Sequence, residues 1–232
     1  TTFDGIIGKD DSVFIDSENN LGLTKVGTGT LTLTGANNYT LATTVSAGTL
    51  LVNGSHTTAG DYSVAGGATL GGYGTISGNT VDAVGSDGSV ATVSPGNTIG
   101  TLTVDNMTFG DYSRLLIELD GGSGDLLVVT GQLNVSGTTG TVLELVGDYS
   151  AGPILTWDSL GAGGYEFAAV RYGNEDYTWT AATTDGVFGL YQLEVRGNGL
   201  YLIPEPASGL LLLFGGLALL RCRRRRACPV KA

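Results

Sequence analysis

Cysteine is absent from the first 221 residues of this 232-residue chain, and both copies, Cys222 and Cys228, lie near its C-terminus. A disulfide scaffold is thereby excluded as the support of the main body. A metal site built on the two thiols lacks further ligands, because His56 is the only histidine. The cysteines read as incidental reduced thiols, with acylation as the alternative. Proline is scarce at 5 residues, which excludes collagen and a Pro-rich linker. Charged residues make 14 %, well under the usual ~25 %. With 41 % hydrophobic residues, that shortage excludes an acidic disordered tail, and the lack of Glu, Lys and Arg argues against a helical bundle. Basic residues are rarest of all: 5 stand against 21 acidic ones before Pro204, a balance of −16. Such a surface repels phosphates, so nucleic acid is not a partner.

What the chain has instead is glycine, 39 of 232 residues against a usual ~7 %, together with Thr and Val. This is the composition of an all-β, turn-rich protein. In Lys25–Ser55 the run Thr30–Thr34 alternates Thr and Leu, the period-2 pattern of a strand with one apolar face. A Gly35-Ala36-Asn37-Asn38 turn follows, then short strands at Thr43–Val45 and Thr49–Val52. Three short strands with Gly and Asn corners in about thirty residues suit one coil of a parallel β-helix. A β-sandwich gives the same local signal. Further strands are expected at Val64–Ile76, Thr101–Val104, Leu115–Leu119, Leu126–Val129, Leu133–Val135 and Val142–Val146, separated by turn-forming spacers. Between Tyr149 and Tyr201 lie ten of the 18 aromatic residues. They suit either a cap over the apolar end of the stack or a sugar-stacking surface using Trp157 and Trp179.

The last thirty residues differ in kind. Pro204-Glu205-Pro206 leads into a 14-residue apolar run, Ala207–Leu220, containing Leu210, Leu211, Leu212, Leu213, Phe214, Leu217, Leu219 and Leu220. As a helix it is ~21 Å long, short against a ~30 Å hydrocarbon core. The flank decides the reading: Arg221, Arg223, Arg224, Arg225 and Arg226 cannot enter a protein core unpaired, whereas at a membrane they snorkel and set a positive-inside orientation. A single membrane-inserting helix is expected, with the body outside.

Two resemblances follow from these residues. The Pro204-Glu205-Pro206 motif, apolar helix and terminal arginine cluster resemble the PEP-CTERM sorting signal of Gram-negative bacteria. That resemblance implies an exosortase as processing partner, transient residence in the inner membrane, and cleavage near a motif whose residues are substrate rather than catalyst. Lys25 to Leu50 resembles the autotransporter-associated β-strand repeat, and the similarity to passenger-type β-helices runs on over residues 21–146. Leu41 stands where the repeat usually has Gly, which is expected to loosen that corner.

Catalytic chemistry is thin. No nucleophile elbow accompanies His56, which reads as an exposed loop residue. Carboxylate pairs are the one enzymatic option: Asp10/Asp11, Asp82/Asp87 and Glu118/Asp120/Asp125. Gly121-Gly122-Ser123-Gly124-Asp125 resembles a glycine-aspartate calcium turn but is one residue short and not tandem. Asn38, Asn53, Asn106 and Asn134 begin Asn-x-Ser/Thr sequons, as chance provides in a Thr- and Ser-rich chain. The expectation is therefore an all-β chain: a right-handed parallel β-helix (solenoid) over 1–148, an aromatic-rich β cap over 149–202 and a sorting signal over 203–228 with a C-terminal single transmembrane helix. It is read as exported and non-enzymatic, passing from an inner-membrane-anchored precursor to the cell surface, outer membrane or extracellular matrix, with extracellular polysaccharide as a further partner. No catalytic residue, metal ligand or cofactor is assigned, structural calcium being the one metal left open. A polysaccharide lyase or hydrolase and a glycan-binding adhesin are the alternatives.

Overall fold

The computed structural model describes residues 1–5, 7, 21–57, 60–148, 152–172, 175–177, 185–188 and 191–204. Every regular element among them is a strand, and the strands form two long sheets. In the first sheet Thr2–Phe3, Thr30–Leu33, Gly48–Val52, Ala68–Gly72, Ala91–Pro95, Ser113–Asp120, Val142–Asp148 and Ala169–Tyr172 follow one another, all parallel. In the second, Leu23–Lys25, Thr43–Val45, Tyr62–Ala65, Thr75–Val84, Thr101–Phe109, Leu126–Val135 and Gly152–Leu160 do the same. The chain alternates between the sheets, so each pair of strands is one coil stacked on the last. Parallel neighbours reached by crossing to the opposite sheet define a β-solenoid and exclude a sandwich of antiparallel hairpins.

The register fixes the coil length. Thr30 pairs with Thr49, Thr49 with Thr69, Thr69 with Thr92, Thr92 with Arg114, Arg114 with Val142 and Val142 with Ala169, so successive coils advance by 19, 20, 23, 22, 28 and 27 residues. This corrects the expectation that the strands at 30–34, 43–45 and 49–52 make a single coil. Thr30–Leu33 and Gly48–Val52 are stacked neighbours in one sheet, and Gly48–Val52 already belongs to the next coil.

Alternation then builds the core. Leu50, Leu70, Val93, Leu115, Leu143 and Val170 are buried and in register, one per coil. Val45, Val64, Ala83, Phe109 and Val135 form the facing row from the second sheet. At about 1.5–3 kcal/mol for each fully buried large aliphatic or aromatic side chain, these rows are the main favourable term in stacking one coil on another.

The stacking continues past residue 148 and ends with a change of sense. Gly199–Pro204 pairs antiparallel with Gly152–Leu160, and Tyr191–Val195 and Asp185–Phe188 extend that antiparallel sheet. Glu175–Tyr177 does the same for the first sheet. Antiparallel strands cover the parallel edge that would otherwise remain open to pairing. Pro204 is the last residue of its strand.

Candidate functional site

Three arrangements of polar side chains bear on function among the described residues. Within the coils, a set of Asp and Asn side chains bridges one coil to the next. The Asp61 carboxylate accepts the Thr80 N–H (3.1 Å), the Asn106 amide oxygen that of Gln132 (2.9 Å) and the Asn134 amide oxygen that of Gly163 (2.7 Å). Asp111 accepts two, from Thr138 and Thr139, at 2.8 and 3.0 Å. The acceptor stands one coil away from its donor in each case; Thr80 and Gln132 lie where the strand register shifts at a bulge, and Thr138, Thr139 and Gly163 lie between strands. Part of the acidic composition is thus structural. The same holds for Lys25, nearly buried at 7 % exposure, whose ammonium donates to the carbonyls of Val26, Gly27 and Ala47 at 2.9, 2.8 and 3.0 Å. Sequence reasoning missed both roles. The signal available for the first is an Asx residue one coil length from a corner Gly or Thr.

A second arrangement is a buried cluster of Tyr39, Thr43, His56 and Tyr62. His56 is 1 % exposed, which overturns its reading as an exposed loop residue. Its ring stacks on Tyr39 with centroids 4.0 Å apart. Nε2 lies 2.8 Å from the Tyr39 carbonyl, which only accepts, so Nε2 carries the proton and Nδ1 accepts from the Tyr62 hydroxyl at 2.7 Å. Tyr39 and Thr43 hydroxyls meet at 2.6 Å. Burial lowers the His56 pKa and raises those of both tyrosines. All four side chains are buried and face one another, which makes this a support for the coil corner and not a catalytic base.

The third is the outer face of the first sheet. A shallow groove of about 210 Å³ runs over Thr30, Thr49 and Thr69, with Leu51 on its floor and Ser94 to Asn97 as one wall. Glu118 lines it and also a neighbouring depression with Thr98, Ile99, Leu119, Asp120, Val146 and Gly147. Asp125 braces the wall from beneath. It is fully buried, with Oδ1 accepting the Gly100 N–H and Oδ2 the Glu118 N–H, each at 2.9 Å. Burial pushes its pKa up to about 7, against the two N–H donors and with a small contribution from the Glu118 charge.

The carboxylates singled out in the sequence do not converge as one set. Glu118 and Asp120 are exposed on one strand, Asp125 is turned inward, Asp82 lies on the second sheet and Asp87 in an exposed turn. Asp10 and Asp11 lie outside the described residues. Asp125 is committed to two backbone donors, which removes it from the calcium turn it was read into. Among the described residues, no three His, Cys, Asp or Glu side chains come together as a metal-binding group. Trp157 is buried, in register with Val129 and stacked on Tyr165 at 5.4 Å, so it is core and not an exposed sugar platform. Phe167 packs on Phe109. Trp179, Glu205, Pro206, the apolar run 207–220 with Leu210 to Leu220, the arginines 221–226 and both cysteines lie outside the described residues. Among the described residues no helix is long and apolar enough to cross a membrane.

The fold defines the class: a parallel β-solenoid closed at its C-terminal end by antiparallel strands. Within it, residues 23–52 match the family model of the passenger-associated transport repeat. The match begins at the first strand of the second sheet and ends at Val52, the last residue of Gly48–Val52. It covers the Lys25 corner and the Thr30/Thr49 pairing. No curated protein matches the chain.

Proposed function

We propose that this is an exported, non-enzymatic surface or matrix protein: a right-handed solenoid carrying an acidic, hydroxyl-rich exterior, delivered by a C-terminal PEP-CTERM signal that an exosortase processes. The observation that carries the reading is the passenger-associated repeat at 23–52, set into a solenoid whose coils are bridged by Asp side chains accepting backbone N–H groups of the next coil. The right-handed sense follows from the usual chirality of parallel crossovers. The division into a solenoid body, an aromatic-rich end and a sorting tail from residue 203 belongs to the same reading.

The tail supplies the route. Pro204, Glu205 and Pro206 form the processing motif, the apolar run through Leu220 holds the precursor in the inner membrane, and Arg221 to Arg226 keep the terminus on the cytoplasmic side. Positioning at the surface brings extracellular polysaccharide within reach as a partner. The test is intact mass of the protein recovered from Gram-negative cells with and without their exosortase. Loss of the residues that follow the motif only when the exosortase is present supports the proposal; identical masses overturn it.

A further inference from the structure

The groove on the first sheet has a chemistry that the structural role of the solenoid does not use. Thr30, Thr49 and Thr69 occupy one outward row in exact strand register, so their hydroxyls repeat along the solenoid axis at the ~4.8 Å strand spacing. Unlike the bridging Asp and Asn side chains, these three hydroxyls have no intramolecular hydrogen-bond partner among the described residues. Beside them lies Leu51, half-buried, its Cδ2 lying over Gly71, where a side chain would crowd it. The floor is thus an apolar platform bordered by hydroxyls. The wall is rigid: Gly96 is in the left-handed region at φ +84°, and Asp125 anchors the turn through Gly100.

Charge narrows the occupant. The groove has one carboxylate, Glu118, and no Lys or Arg in its lining, on a body in which acids greatly outnumber bases. A polyanion is repelled, and a peptide strand finds no unpaired sheet edge here, since each strand of the floor is paired on both sides. A polymer with apolar ring faces and a rim of hydroxyls matches the Leu51 platform and the threonine row together.

We infer that this groove binds a neutral glycan chain lying along the solenoid axis, with Leu51 under a sugar face and Thr49 and Thr69 bonding its hydroxyls. The inference rests on the surface reading for its polysaccharide partner, but its test reads the groove alone, so its failure and a failure of exosortase processing are told apart.

The experiment is affinity electrophoresis of the full chain in mild non-ionic detergent, through native gels containing laminarin, hydroxyethyl cellulose, galactomannan or alginate. At least one neutral polymer is expected to retard the protein and alginate is not. The T49V/T69V variant keeps shape and strand propensity while deleting two hydroxyls. With a net loss of about 1 kcal/mol per hydrogen bond, its retardation is expected to weaken by roughly tenfold or more at unchanged circular dichroism. Absence of retardation by all three neutral polymers, equal retardation of the variant, or stronger retardation by alginate overturns the assignment.

Discussion

The α-carbon of Gly54 lies against the carbonyl of Gly35 one coil below, and a Cβ at position 54 would overlap that oxygen. Gly35 stands in the same relation to Gly5, and Gly74 to Gly54. The carbonyls are in use: that of Gly54 accepts the Thr75 N–H at 3.0 Å and that of Gly35 the Ser55 N–H at 3.3 Å. The column is a corner where backbone packs on backbone, and side chains are excluded by contact.

The Gly54→Ala substitution is accordingly expected to destabilise the body by about 3 kcal/mol, since the obstructing atoms are backbone and cannot step aside. The G29A substitution is the control: nothing lies within 4 Å of a Cβ there. Urea unfolding of both variants checks the difference, and equal midpoints would contradict it.

Lys25 gives a second expectation. Its ammonium holds three carbonyls from two coils, so Lys25→Met removes charge-assisted bonds while keeping most of the apolar stem. A loss of about 2 kcal/mol is expected in the same assay. A neutral outcome would mean that the carbonyls are served equally well by water.

Two buried titratable groups, His56 and Asp125, act with opposite sign. Burial lowers the His56 pKa, so below its ordinary 6.5 the unfolded chain takes up a proton that the folded chain resists. Its contribution to stability is therefore present at neutral pH and falls on acidification. The H56Q variant should lose this acid-side slope in thermal melts between pH 7 and 5, whatever its absolute stability.

Asp125, raised from 3.8 to about 7, binds a proton more readily folded than unfolded. Its contribution is full below about pH 4, declines as pH rises through that interval and levels off above about 7. Asp125→Asn should flatten this decline. A D125N melting curve parallel to wild type across pH 4–8 would show that the two N–H donors outweigh burial.

Much of the fold was legible because the solenoid writes a simple pattern. Thr-Leu alternation at 30–33 fixes which face is core, and the strands at 43–45, 48–52, 113–120 and 142–148 appear where short apolar runs are bounded by turn residues. The coil length was not legible, because adjacency between Thr30 and Thr49 is a matter of closure and not of local preference. His56 was misread for the same reason: flanked by Ser55 and Thr57 it looks like a turn, and only stacking brings Tyr39 and Tyr62 around it. At the groove, Glu118 was visible as a carboxylate, but the threonine row exists only in register across three coils.

The register is the claim on which the groove and the repeat both depend. The body has no cysteine, so in a C222S/C228S background a T49C/T69C pair is a clean probe. Neighbouring strands ~4.8 Å apart bring the two Cα atoms within disulfide range. Mild oxidation followed by intact mass is expected to show a bridge between positions 49 and 69 in the monomer, and none for the T49C/S63C pair on opposite sheets. Free thiols at 49 and 69, or bridging at 49 and 63, would contradict the stacked solenoid.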